Sequence, residues 1–241
     1  MNISKTILIT GANKGIGLET ARQLGKIGYT VLLGSRDEER GRNAETLLKS
    51  EGINAKFILL DVTNLETINA AVGFIEEEYG LLDVLINNSA IYIDNGISPS
   101  RIELSVLKQT YETNFFGVFA VTKAMLPLLK KSTEGGRIVN VSSGQGSLAR
   151  NSSSNSTSLL QLAYNSSKTA VNALTIQFAR EFKNSPLKIN SAAPGFTATD
   201  MNGGKGTRTV RQAAVIIVRL ATLDESGPTG GFFEDTGEIP W

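Results

Sequence analysis

The 241-residue sequence predicts an α/β fold: one doubly wound, parallel sheet with helices on both faces. Three observations carry this expectation. Short apolar runs alternate with longer segments of helical periodicity along the whole chain. The runs, Val84-Leu85-Ile86 among them, are apolar without the in–out alternation of a half-exposed strand, as expected when both faces of a sheet are covered. A glycine-rich turn lies directly between the first apolar run and the first helical segment, where an open α/β sheet places its ligand.

The elements follow in order. Residues 5–10 are apolar and β-branched and read as the first strand, and 15–27 as the first helix. Residues 29–34 form the next strand, followed by a charged helix over 37–50. Residues 55–60 are the third strand, and 64–79 carry Leu65, Ile68, Val72 and Ile75 on one helical face. Residues 83–87 read as the fourth strand, 98–131 as one or two helices, and 137–142 as the fifth strand. A long helix over 161–183, a sixth strand over 187–192, a helix over 207–222 and a seventh strand over 230–233 complete the pattern. No Pro- and Gly-rich linker and no repeat divides the chain, so 1–241 is expected to form one domain.

Composition removes whole classes of chemistry. The chain has no histidine and no cysteine, which excludes a Ser-His-Asp triad, a thiol nucleophile, a disulfide and zinc or iron–sulfur sites of the usual ligands, so no metal is expected. Twenty-four basic residues stand against 23 acidic ones and are interspersed with them, a balance that points to neither nucleic acid nor a membrane surface. No charged leader with an apolar core opens the sequence, and no apolar run reaches membrane-spanning length. A cytoplasmic protein is the expectation.

Thr10-Gly11-Ala12-Asn13-Lys14-Gly15-Ile16-Gly17 is the turn after the first strand. Glycines there allow a tight turn and close backbone approach, so amide groups at a helix N-terminus can face a pyrophosphate. The turn lacks a Gly-Lys-Ser/Thr ending, which disfavours a P-loop hydrolase. With histidine and cysteine absent, proton transfer near neutral pH falls to Tyr, Lys, Asp or Glu. Tyr164 and Lys168 stand four positions apart on one predicted helix, which places a cation beside a phenol on one face.

Taken together, the motifs resemble the short-chain dehydrogenase/reductase family over essentially the whole chain. The resemblance rests on Thr10-Gly11 with Gly15-Ile16-Gly17, Asp61 after the third strand, Asn87-Asn88-Ser89-Ala90 after the fourth, and Asn114 before Phe115-Phe116-Gly117. It continues with Ser143, Tyr164 and Lys168, then Pro194-Gly195 with Thr199 after the sixth strand. It implies a single doubly wound Rossmann domain with a sheet of about seven strands, and hydride transfer between nicotinamide and a carbonyl or alcohol carbon. Within that pattern Tyr164 is the general acid or base, Ser143 holds the substrate oxygen, Lys168 lowers the phenol's pKa and holds the nicotinamide ribose, and Asn114 holds a water linked to Lys168. The cofactor-binding set it implies is Gly11, Asn13, Lys14, Gly15, Ile16, Gly17, Arg36, Asp61 with Val62, Asn88, Tyr164, Lys168, Pro194, Gly195 and Thr199. Asp61 has a second reading as a cap for the helix near Asn64.

Asn13-Lys14-Gly15, Asn114-Phe115-Phe116-Gly117 and Thr199-Asp200-Met201 are similar to the family's carbonyl reductase branch, whose members reduce aldehydes, ketones and quinones with NADPH. The second strand ends in Ser35-Arg36 where an acid would accept the 2′-hydroxyl of NAD, and Lys14 adds a second cation, so NADP is the expected cofactor. Two features depart from the family pattern. Ala90 stands where glycine is usual and is strained there if its φ is positive. The stretch 144–162 before Tyr164 is long and carries the polar run 151–158, read as a mobile loop at the substrate rim. Residues 196–206 are a candidate lid, and Trp241 is expected against the pocket or a neighbouring subunit. A small-molecule carbonyl compound is the expected partner; monomer, homodimer and homotetramer all stay open. The alternative function is a non-catalytic dinucleotide-binding redox sensor.

Overall fold

The structure, a computed structural model, describes residues 4–153 and 160–241. Its strands are β1 Thr6–Thr10, β2 Thr30–Ser35, β3 Ala55–Leu59, β4 Val84–Asn87, β5 Arg137–Val141, β6 Lys188–Ala192, β7 Phe232–Glu234 and β8 Gly237–Glu238. Its helices are α1 Gly15–Lys26, α2 Glu38–Ser50, α3 Leu65–Tyr79, α4 Leu104–Tyr111, α5 Gly117–Leu129, α6 Leu148–Asn151, α7 Leu162–Glu181 and α8 Val210–Ala221. Helix boundaries follow local chemistry. Asp37 accepts from Arg40 N to start α2, Asn64 accepts from Glu66 N to start α3, and Gly80 ends α3 in the left-handed conformation at φ 73°.

The strands pair in the order β3-β2-β1-β4-β5-β6-β7-β8. The chain winds outward from β1 in one direction and from β4 in the other, which opens a crevice at the carboxyl ends of these two strands. Ile9 is paired with Leu33 on one side and Ile86 on the other. Successive residues of β1 serve opposite faces: Ile7 and Ile9 enter a core with Leu24, Leu48 and Ile217, whereas Leu8 enters one with Leu85, Ile75 and Met125. Burial of each such side chain contributes on the order of 1.5–3 kcal/mol. Helices α1, α2 and α8 thus cover one face, and α3, α5 and α7 the other.

One difference from the sequence expectation has a physical cause, and two further details mark the sheet and its cover. The sheet has eight strands rather than about seven, because Gly237–Glu238 turns back antiparallel onto β7, a pairing too short to leave a periodic signal. The segment 98–131 divides into α4 and α5, joined by a π-helical turn over Glu112–Phe116 whose apolar phenylalanines read as ordinary helix. At the opposite edge of the sheet, Phe57 N of β3 donates to the Glu45 carboxylate of α2 at 3.1 Å.

Candidate active site

Tyr164 lies in the first turn of α7 and Lys168 one turn further on. Lys168 Nζ sits 5.7 Å from the centre of the Tyr164 ring. Lys168 is buried, and its ammonium donates to Val141 O at 2.8 Å, at the end of β5. Ser143 stands two residues after the end of β5 and hydrogen-bonds the Tyr164 phenol, while its Oγ also accepts from Gln145 N at 3.2 Å. The neighbouring Ser142 is buried and donates instead to Lys168 O. Of the two serines, Ser143 is the one that meets the phenol.

Burial pushes the Tyr164 phenol up to about 12; the hydrogen bond from Ser143 draws it down, and Tyr92 and Asp94 raise it further. Burial alone pushes Lys168 down to about 8. The lowering of the phenol by its ammonium neighbour, expected from the spacing, is therefore not what the protein chain itself produces: desolvation disfavours both charged forms. Lys168 meets a backbone carbonyl rather than the phenol oxygen.

The glycine turn lies across the crevice from this pair. Gly11 and Gly15 take φ values of 64° and 59°, which a side chain would strain. A Cβ on Gly17 would lie 2.5 Å from Asn88 Nδ2 and 2.6 Å from Gly11 O. Asn88 itself ties the end of β4 to the turn: its N–H donates to Thr10 Oγ1, and its amide donates to Thr10 O and Gly11 O. Among the described residues no side chain caps α1, and its first turn holds no acid, so its leading amides suit an anionic ligand. Thr199 closes the other side; a Cβ on Gly15 would come within 3.8 Å of its methyl group. The turn thus has the donors and the lack of side-chain bulk that a dinucleotide's phosphates require.

Asn114 is buried in the π-helical turn, where it accepts from Ile91 N and donates to Ile91 O and to Ser167 Oγ. It joins the loop after β4 to α7. Ala90 does not carry a positive φ, so replacement of the usual glycine leaves the backbone unstrained there.

Comparison with known proteins decides the family. The description of the short chain dehydrogenases matches residues 5–209. The chain belongs to this family. A short-chain dehydrogenase of Penicillium roqueforti is 37% identical over 223 residues, covering 90% of this chain and 88% of that protein. Carbonyl reductase (NADPH) 1 of Mus musculus is 35% identical over 275 residues, covering 97% of each. In three dimensions the NADPH-bound carbonyl reductase from chicken fatty liver superposes with a TM-score of 0.87 at 26% identity, covering 99% of both chains.

Within this short-chain dehydrogenase, other expected residues take particular places. Lys14 is not a free cation: its ammonium pairs with Asp200 at 2.9 Å and holds that carboxyl below its usual range. Arg36 is exposed, and Asp37 turns to the α2 N-terminus rather than back toward the ribose side. Asp61 accepts from Thr63 N and Oγ1 in a tight local turn, leaving the α3 cap to Asn64; Val62 is buried against Gly117. Pro194 is buried, and Gly195 at φ 78° packs against Arg208.

The segment 196–206 is a folded turn around Asp200–Asn202, bridged at Thr197 to Arg208. Of the stretch 144–162, Leu148–Asn151 is helical and Asn151 donates to Gln145 O, so the polar run begins in ordered structure; residues 154–158 of that run lie outside the described residues. Trp241 stacks on Phe232 at 5.4 Å. Sequence motifs did not reveal Tyr92, Asp94 and Ser167. The first two follow β4, at the carboxyl end of a central strand, which was the available signal.

Proposed function

We propose that this chain reduces the carbonyl group of a small aldehyde, ketone or quinone with NADPH. Family membership and its NADPH-linked relatives make it an NADP-dependent short-chain oxidoreductase. The assignment of the reaction rests on the contact between the Ser143 hydroxyl and the Tyr164 phenol with Lys168 5.7 Å from that ring. NADPH, when bound, supplies the hydride that goes to the carbonyl carbon. Ser143 Oγ donates a hydrogen bond to the carbonyl oxygen, where negative charge grows in the transition state. Tyr164 Oη releases its proton to the same oxygen, giving the alcohol, and is reprotonated from solvent.

Lys168 opposes the charge left on the phenol and holds the cofactor ribose, while Asn114 fixes the loop and helix between which a proton passes to solvent. Gly11, Asn13, Gly15, Ile16 and Gly17 would hold the pyrophosphate, and Lys14, now paired with Asp200, and Arg36 would meet the 2′-phosphate. Asp61, Val62 and Asn88 would border the adenine and ribose, and Pro194, Gly195 and Thr199 the nicotinamide. Among the described residues no helix is long and apolar enough to cross a membrane.

Purified protein with NADPH and a panel of aldehydes, ketones and quinones tests the reading through loss of cofactor absorbance. Turnover with at least one class is expected. Tight NADPH binding with no oxidation anywhere in the panel would replace the reductase by a redox sensor.

A further inference from the structure

Tyr164 occupies a vulnerable place. It lies in the first turn of a 20-residue helix whose N-cap residue, Gln161, makes no capping hydrogen bond with its side chain. Leading amides of a helix have no partner inside it and fray unless something accepts from them. Here the acceptor comes from elsewhere in the chain. Asp94 is fully buried in the loop between β4 and α4, and its Oδ2 accepts from Ala163 N at 2.7 Å and from Tyr164 N at 3.2 Å.

Its neighbour Tyr92 packs edge-on to the Tyr164 ring at 5.4 Å, and the Tyr92 hydroxyl accepts from Gln161 Nε2 and donates to Asn95 Oδ1. The loop after β4 therefore grips the helix end by both backbone and ring. Asp94 Oδ1 is also buried and has no hydrogen-bond partner among the described residues.

We propose that Asp94 is a positioning residue for Tyr164: its buried carboxylate clamps the first turn of α7 and keeps negative charge beside the phenol, favouring the hydroxyl as proton donor in reduction over its role as base in oxidation. The inference rests on Tyr164 being the acid of the reaction. The groups facing the phenol are Tyr92 and Asp94 from the loop after β4, Ser143 from the end of β5, and Lys168 on α7 itself. Ser143 favours the phenolate, whereas burial, Asp94 and Tyr92 oppose it. The two sets are drawn from different elements, so the balance can be changed one residue at a time.

Two variants separate clamp from charge. Asp94→Asn keeps an oxygen acceptor for the two amides and removes the charge; Asp94→Ala removes both. In Asp94→Ala, kcat for reduction is expected to fall roughly 10²-fold, as for other small displacements of reacting groups, with NADPH affinity little changed. In Asp94→Asn, kcat recovers, and the rising, acid-side limb of the alcohol-oxidation profile moves about one unit to lower pH.

Amide hydrogen exchange of Ala163 and Tyr164, followed by NMR, reads the clamp without any turnover. Protection is expected to drop at least tenfold in the alanine variant and to persist in the asparagine variant. Unchanged protection in Asp94→Ala together with unchanged kcat overturns the clamp; where alanine does not fold, the same result in Asp94→Leu, which is of similar size and has no acceptor, overturns it. An oxidation profile in Asp94→Asn that superposes on wild type overturns the role of the charge. Should no carbonyl compound be turned over by the wild type, the exchange measurement still judges the clamp, and the failure then belongs to the reductase reading.

Discussion

The two halves of the crevice are built on opposite principles. On the β1–β3 side the ligand surface is backbone, made available by residues that lack side chains: Gly11 and Gly15 at positive φ, Gly17 without space for a Cβ, and an uncapped α1 N-terminus. On the β4–β6 side the surface is side chain, and each reactive group is held by buried polar partners. Asn87 donates to Thr122 and Asn140, Asn140 to Thr175, and Thr175 shares a hydrogen bond with Ser191, a chain that ties β4, β5 and β6 to α5 and to α7, the helix that carries Tyr164 and Lys168. In the proposed reading the first half binds by what is missing, and its geometry tolerates no addition. The second acts by what is present, so a like-for-like change there keeps the fold while removing the chemistry.

Substitutions can break this contrast in graded steps. Tyr164→Phe should have the largest effect, lowering turnover by roughly 10²–10⁴-fold as expected for loss of a general acid. Isothermal titration should show NADPH affinity nearly unchanged; a parallel loss of affinity would mean the phenol supports the cofactor cleft as well. Next, Lys14→Ala combined with Arg36→Ala should reduce the preference for NADPH over NADH by about ten- to a hundredfold, the size expected for charged hydrogen bonds. Steady-state kinetics with both cofactors would read this, and equal losses with each would move the 2′-phosphate elsewhere.

On the backbone side, Gly17→Ala forces a Cβ to 2.5 Å from Asn88 Nδ2. It should destabilise the fold by about 1–3 kcal/mol in denaturant unfolding and weaken NADPH binding with it.

The smallest effect is a pH dependence. Lys168 is held at about 8 against an ordinary 10.5, so between those values the unfolded chain binds the extra proton. Stability from this group is complete above 10.5 and is lost as pH falls through 8. Lys168→Met should therefore gain on wild type below pH 8, and that advantage should shrink by at most about 1.36 kcal/mol per unit on the way to 10.5. In parallel, kcat/KM for reduction should decline as pH rises through about 8, where Lys168 loses its charge.

The same contrast explains what was legible beforehand. The central strands were readable because two-sided burial leaves uninterrupted apolar runs such as Ile7-Leu8-Ile9. The glycine turn was readable because its conformation admits few other residues, and Tyr164 with Lys168 because helical spacing alone puts them together. Asp94 was not, since its partners Ala163 and Tyr164 are 69 and 70 positions away and no local pattern joins them. Pairing of Lys14 with Asp200, 186 positions apart, was hidden for the same reason. The direction of the phenol's shift was misjudged because proximity to a cation is visible in spacing, whereas desolvation depends on the packed surroundings.

The margins of the sheet carry a last consequence. On one side the Phe57 amide is already spoken for by Glu45, and on the other β7 is closed by a rung only two residues long. A neighbouring molecule seeking to zip onto either border meets few free donors and acceptors in register, so the protein is expected to resist strand-by-strand aggregation at high concentration. Glu45→Ala would reopen one border to such growth.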